Sequence, residues 1–186
     1  MDEKVVGVPE NFSDEVYEQN KIKIVSVKFG SECPYVGKNA FKDCKSLKTI
    51  TFNNDSVMKE IRDGAFAGCD KISSITLPSK LEKIGHLCLY TTSELSIYIP
   101  ESLSYPPTFT IEGEESNYSY PFGYIDSDDS DYYDDSDYYG NSDDSDYYDD
   151  SDIDYIIPQI KIFVPSKLEE TYKKHWKKYK DYIETY

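Results

Sequence analysis

The 186-residue chain has only two histidines, His86 and His175, and sequence spacing fixes no nucleophile or carboxylate beside either. It has no glycine-rich phosphate loop, no nucleophile elbow and no dinucleotide fingerprint. Such motifs hold reactive groups at a set spacing, so the chain reads as a non-enzyme, with no catalytic or cofactor-binding residues and no cofactor. Its four cysteines, Cys33, Cys44, Cys69 and Cys88, form no Cys-x-x-Cys pair and have no histidine at ligand spacing. A zinc site is disfavoured on that ground, and no metal ligands are assigned. No apolar run approaches the roughly 20 residues of a membrane span. The N-terminus, Met1-Asp-Glu-Lys-Val-Val-Gly-Val-Pro9, lacks the apolar core of a signal peptide. By these residues alone the location is cytoplasmic by default. Base is scarce too: 20 Lys and Arg face 36 Asp and Glu, a net charge of −16. A negative field of that size fits nucleic-acid binding poorly.

What the chain does have is repetition. Val36-Gly-Lys-Asn-Ala-Phe-Lys-Asp-Cys-Lys-Ser-Leu-Lys-Thr-Ile-Thr-Phe52 is echoed by Ile61-Arg-Asp-Gly-Ala-Phe-Ala-Gly-Cys-Asp-Lys-Ile-Ser-Ser-Ile-Thr-Leu77 at an offset of 25 residues. A third copy, Ile84 to Pro100, follows 23 residues later, with Leu89 in the Phe slot and Thr92 in the Cys slot. Upstream, Val25-Ser-Val-Lys-Phe29 resembles the second half of a unit. Far downstream, Ile160-Lys-Ile-Phe-Val-Pro165 repeats the pattern of Leu95-Ser-Ile-Tyr-Ile-Pro100. A fixed period of this length marks a solenoid, in which each unit buries its apolar side against its neighbours.

Each unit reads as a short helical turn around Ala-Phe-x-x-Cys followed by a strand. Alternation along the strands places Val27, Phe29, Ile50, Phe52, Ile75, Leu77, Ile97, Ile99, Ile162 and Val164 inward. Pro78, Pro100 and Pro165 stop the strands, because proline has no donor for a ladder. The expected architecture is α/β: a short solenoid with a parallel sheet on one side and short helical turns on the other. The outward positions are then Lys28, Thr51, Thr76, Tyr98 and Phe163 in one row, and Ser26, Thr49, Ser74, Ser96 and Lys161 in the next.

The pattern Ile-Gly-x-x-Ala-Phe-x-x-Cys-x-x-Leu-x-x-Ile-x-Ile/Leu-Pro resembles that of the BspA-like leucine-rich repeat family. The resemblance is clear over residues 36–100, weaker over 22–35, and resumes at 160–186 with Ile-Phe-Val-Pro-Ser-x-Leu-Glu-x-Tyr-Lys-x-x-Trp. Pro106-Pro107-Thr108 is similar to the double proline that opens the family's last unit. Arg62 stands where the family has Gly, and Asn53 where it has Pro, without changing the phase. The resemblance implies a leucine-rich-repeat solenoid and a role in protein–protein interaction, including adhesion. Because the family is often displayed on or released from cells, it also implies a surface or secreted location, against the cytoplasmic default.

The acidic excess is concentrated in residues 126–154, which hold 14 aspartates and no Lys or Arg. Ser127–Asp137 recurs unchanged as Ser142–Asp152. With no aliphatic residue before Ile153 and like charges throughout, this tract is expected to be a disordered loop inserted between rungs. Three roles stay open beside a plain solvated expansion. The first is weak calcium binding through carboxylate oxygens, although the spacing of a dedicated loop is missing. The second is modification of Tyr132, Tyr133, Tyr147 or Tyr148. The third is contact with a basic partner, which includes the chain's own C-terminal segment.

In that segment Leu168, Tyr172, Trp176, Tyr179 and Ile183 recur at helical steps, and Ser166 with Glu169 fits a capping box. A C-terminal helix closing the open end of the solenoid follows. Cys44 and Cys69 share a phase on adjacent rungs, about 5 Å apart. Side chains stacked in register point the same way, which favours buried thiols over a disulfide. The segments are therefore an N-terminal cap (1–21), repeats (22–125), the acidic insertion (126–154) and a last strand with its capping helix (155–186).

The functional expectation is a protein-interaction module using the exposed sheet face, with Lys28, Thr51, Thr76, Tyr98 and Phe163 as partner-binding residues. The alternative is a charge- or calcium-responsive protein acting through the acidic tract. One question stays open: Tyr98 and Phe163 are either an exposed aromatic pair or covered by the aromatic residues of 104–125.

Overall fold

The computed structural model describes residues 23–117, 119–123 and 159–186. The segments expected as the N-terminal cap (1–21) and the acidic insertion (126–154) lie outside the described residues. The readings of calcium binding and tyrosine modification fall there with them.

The chain winds as a β-solenoid of about five turns. One side carries β1 (Ser26–Phe29), β3 (Thr49–Phe52), β5 (Ser74–Thr76), β7 (Leu95–Tyr98), β10 (Ile160–Val164) and β11 (Ile183–Thr185). The other carries β2 (Tyr35–Val36), β4 (Glu60–Ile61), β6 (Lys83–Gly85), β8 (Thr108–Ile111) and β9 (Glu114–Glu115). The first group forms a β1–β3 pair beside a sheet of order β11-β10-β7-β5, and the second a sheet of order β2-β4-β6-β8-β9. All pairings are parallel except the β8–β9 hairpin. Ile97 lies opposite Ile75 and Ile162, so the strands at Leu95 and Ile160 are neighbours as the repeat required.

The parallel sheet and inward positions are as expected: Phe29, Ile50, Ile75, Leu77, Ile97, Ile99, Ile162 and Val164 are all buried, and Val27 and Phe52 pack against this core. The second sheet was not expected, and the Ala-Phe-x-x-Cys segments are hydrogen-bonded turns rather than helix. Their backbone explains why. Asn39, Phe41 and Asp43 donate across the stack to the carbonyls of Asp63, Ala65 and Ala67, at 2.9, 2.7 and 2.8 Å. Between them Ala40, Lys42 and Cys44 donate back three residues to Gly37, Asn39 and Phe41. Alternate amides are thus committed to the next coil, and a helix cannot form from the remaining half.

The first two full units hold left-handed backbone at two slots, and the third keeps only the first of them, at Leu87 (φ 49°). Gly64 (φ 61°) and Gly68 (φ 70°) fill them in the most regular unit. Asn39 (φ 56°) and Asp43 (φ 60°) fill them in the preceding one, and both residue types tolerate that region. Inside the turns Phe41 stacks on Phe66 at 5.4 Å, and Phe29 meets both edge-on. Tyr120–Gly123 makes the turn of the last coil: Leu87 and Leu89 donate to the carbonyls of Tyr120 and Pro121, and buried Phe122 takes the Phe slot. The four cysteines are buried thiols outside any disulfide, and the Cys69 thiol donates to the Phe41 carbonyl at 3.0 Å.

The C-terminal segment closes the stack, as expected, but not as one helix. A 3-10 turn (Ser166–Leu168) leads into α1 (Glu169–His175); a second 3-10 stretch (Lys177–Tyr182) follows, and Ile183 enters β11 beside β10. Pairing with the open edge of β10 outweighs helical continuation there. The expected capping box is not formed: neither start has a side-chain cap, and the Ser166 hydroxyl donates to the Tyr186 carbonyl. The expected apolar residues are nonetheless all buried.

Three large side chains fasten this cap through their polar tips. Tyr172 Oη donates to the Leu103 carbonyl (2.8 Å), Trp176 Nε1 to Pro107 (3.0 Å) and Tyr179 Oη to Gly123 (3.0 Å). Phe109 and Phe122 pack among the Trp176 and Tyr179 rings. The Tyr179 hydroxyl also accepts from Phe122 N–H, so Tyr179→Phe leaves two buried backbone groups unpaired at once. An unsatisfied buried group costs about 1–3 kcal/mol, so we expect Tyr179→Phe to lower unfolding free energy by about 2 kcal/mol. Urea denaturation measures it, and an unchanged midpoint contradicts the anchoring role.

Candidate binding surface

The strands β1, β3, β5, β7 and β10 project alternate side chains outward, and their register arranges these into rows. Lys28 lies opposite Thr51, Thr76 opposite Tyr98, and Tyr98 opposite Phe163, with Glu184 next on β11. In the second row Ser26 lies opposite Thr49, and Ser96 opposite both Ser74 and Lys161. Lys28, Thr51, Thr76 and Tyr98 are exposed, and Phe163 is half-buried. All five partner-binding candidates therefore stand on one face.

Tyr98 and Phe163 stack at 4.9 Å with their ring planes 15° apart, and Tyr98 keeps 37% of its surface exposed. Among the described residues, the segment 104–125 does not form a cover over this pair. That segment supplies β8 to the opposite sheet and sends Phe109 and Phe122 into the cap. A third ring joins the pair instead: Tyr186 meets Tyr98 at 6.4 Å and 65°, its hydroxyl donating to the Ile99 carbonyl at 2.8 Å. Sequence reading missed Tyr186 because residues 179–183 were assigned to a helix. The strand parity of Ile183–Thr185 was the signal that would have turned Tyr186 toward this face.

Charge on the face sits at its margins. Lys161 and Glu184 pair at 3.5 Å with both side chains exposed, a contact of small energetic weight. Between them and Lys28 the rows carry only hydroxyls and aromatic rings. Among the described residues, no group of three or more His, Cys, Asp or Glu side chains is placed to hold a metal ion. No helix among them is long and apolar enough to cross a membrane.

The histidines do have partners, which spacing could not reveal. His175 Nδ1 lies 2.7 Å from the Thr171 carbonyl, which can only accept, so that nitrogen carries the proton and Nε2 accepts from Tyr105 Oη at 2.9 Å. Tyr105 also lines a groove together with Leu81, Leu103, Pro106 and Pro107. His86 is half-buried: its Nδ1 accepts from Tyr120 N–H at 3.0 Å, and its own backbone N–H donates to Asp63 Oδ1 at 2.9 Å. The other Asp63 oxygen accepts from Glu112 N–H at 2.6 Å, which pins the β8–β9 hairpin to the stack. Burial pushes the Asp63 carboxyl above its ordinary range, against the pull of these two donors.

Lys178 lies over the Tyr120 ring at 3.9 Å and donates to the carbonyls of Asn117 and Ser119. Burial, with the Lys178 charge adding to it, holds His86 down to about 4. Burial alone lowers Lys178 to about 8.

A depressed histidine gives a definite sign. Between the ordinary value of 6.5 and about 4 the unfolded chain binds a proton that the folded chain refuses, so stability falls as pH drops through that window. At 1.36 kcal/mol per pH unit the loss is about 3 kcal/mol. Asp63, whose pKa is raised, works in the opposite direction. Urea titrations between pH 7 and 4 should show this loss in the native chain and a flatter profile in His86→Gln; parallel profiles contradict the assignment.

The family description "BspA type Leucine rich repeat region (6 copies)" matches residues 10–117. No curated protein and no solved structure matches the chain.

Proposed function

This chain belongs to the BspA-type leucine-rich repeat family, and from that premise we propose that it is a non-enzymatic, adhesive-type module that binds a protein partner through its exposed sheet face. The observation that carries the reading is the exposed Tyr98–Phe163 stack standing in register with Thr76, beside the β1–β3 pair on which Lys28 and Thr51 lie opposite one another. Aromatic side chains dominate interface energetics, and rings already fixed against one another lose little conformational freedom on binding. Lys28, Thr51 and Thr76 then supply the surrounding polar contacts.

A second reading assigns the activity to the acidic tract, as a calcium-sensing or base-binding segment, and rests on its 14 aspartates within residues 126–154. Deletion separates the two. Full-length chain is used as bait on extract of its source cells, with and without calcium, beside a Tyr98→Ser/Phe163→Ser double variant and a variant lacking residues 126–154. The sheet-face reading expects the double variant to weaken capture of a partner by about thirtyfold or more, the roughly 2 kcal/mol scale of a hot-spot residue. It expects the deletion variant to retain that partner without calcium. Loss on deletion, with retention in the double variant, transfers the function to the tract.

A further inference from the structure

The sheet face has a shape that narrows what it can hold. The 4.9 Å separation of the Tyr98 and Phe163 rings matches the spacing of neighbouring strands, so the rings rise side by side from β7 and β10 as a wall. Phe163 covers one face of the Tyr98 ring. On the other side the residue in register is Thr76, whose short side chain leaves that ring face looking over a low floor. Tyr186 closes one end, held by its hydroxyl on the Ile99 carbonyl. The floor is made by Ser74 and Thr76 on β5, then Thr49 and Thr51 on β3, all exposed. Among the described residues these four hydroxyls have no hydrogen-bonding partner.

The chemistry of this ledge is unlike the rest of a chain in which 30% of residues are charged. No charged side chain stands on the floor. Lys28 lies beyond it on β1, and Lys161, on β10 beyond Ser96 in the Ser74 row, is paired with Glu184. Cations do not converge here, which disfavours an anionic ligand. The polar floor disfavours the apolar side of an amphipathic helix. A matching ligand must present a flat array of C–H bonds to the electron-rich ring face and neutral hydroxyls along its edge to the unpaired floor groups. A pyranose does both. Successive outward residues on one strand lie about 6.6 Å apart, so Ser74 and Thr76 can engage one sugar ring or two linked ones while Tyr98 stacks on its side.

We infer that the ledge between Tyr98 and the Ser74–Thr76 row is a carbohydrate-binding site for a neutral, pyranose-based glycan. The inference rests on the reading of this face as the binding surface and gives the partner's contact a chemistry: a glycan chain that the partner carries.

Affinity electrophoresis of the full chain tests it, using gels containing a soluble β-glucan, xyloglucan or galactomannan, with polygalacturonate as the charged control. Retardation by at least one neutral polysaccharide is expected. Tyr98→Ala should weaken it by about tenfold and Thr76→Val by about threefold, within the range of one stacking contact and one hydrogen bond. Tyr98→Phe keeps the ring, should retain binding, and serves with circular dichroism as the folded control. No retardation by any neutral polysaccharide, retardation by polygalacturonate alone, or undiminished retardation of Tyr98→Ala overturns the inference. Capture of a partner that needs Tyr98 and Phe163 but survives enzymatic removal of its glycans also overturns it, while leaving the protein-interaction reading intact. Capture indifferent to both rings removes the two together.

Discussion

Hydrogen bonding from coil to coil is the constraint on which the rest of this structure depends. Strands on both sides satisfy their backbone groups against the neighbouring coil, and so do alternate amides of the turns between them. Because each coil is completed by the next, the stack must be ended as well as built. The aromatic cap does this by covering the apolar interior of the last coil and by answering carbonyls at Leu103, Pro107 and Gly123 that no further coil can reach. The same register places outward side chains in straight rows, so a surface of ordered residues follows from the backbone pattern without a dedicated framework.

Legibility in the sequence followed the source of each feature's energy. Burial is periodic, so the inward strand residues, the shared Phe slot of Phe41 and Phe66, and the adjacency of Leu95–Tyr98 to Ile160–Val164 could all be read from spacing. The second sheet could not, because strands as short as Tyr35–Val36 and Glu60–Ile61 leave no alternation to detect. The turns read as helical because Ala-Phe-x-x-Cys has helical spacing. Only the stack shows that half of their amides point to another coil. In the C-terminal segment the same apolar residues are buried as expected, but a free strand edge at β10 draws Ile183–Thr185 out of helical geometry. That competition is tertiary and leaves no local trace.

The candidate surface was legible to the same degree. Strand parity alone put Lys28, Thr51, Thr76, Tyr98 and Phe163 on one side, whereas the question of a cover turned on where residues 104–125 travel. They travel to the opposite sheet because Thr108–Ile111 completes the β6 ladder and Phe122 fills the last Phe slot. The aromatic stack is left at the solvent, with Tyr186 added from a strand that sequence reading did not foresee. Membership of a repeat family accounts for the flat face, and the departures from regular repetition account for what is distinctive on it. The two most regular units contribute only Ser and Thr, while the rings stand where the third unit meets the last.

Amide hydrogen exchange at Phe41 and Phe66, resolved by nuclear magnetic resonance, tests coil-to-coil bonding most directly. Both amides lie in turns, yet they donate to the next coil at 2.7 and 2.8 Å. They should exchange as slowly as those of Leu77 and Ile99, which donate to the carbonyls of Tyr98 and Phe163 on the next coil at 3.0 and 2.9 Å, through opening of the stack rather than local fraying. Exchange of Phe41 and Phe66 at the rate of unprotected turns, while Leu77 and Ile99 stay protected, contradicts the account.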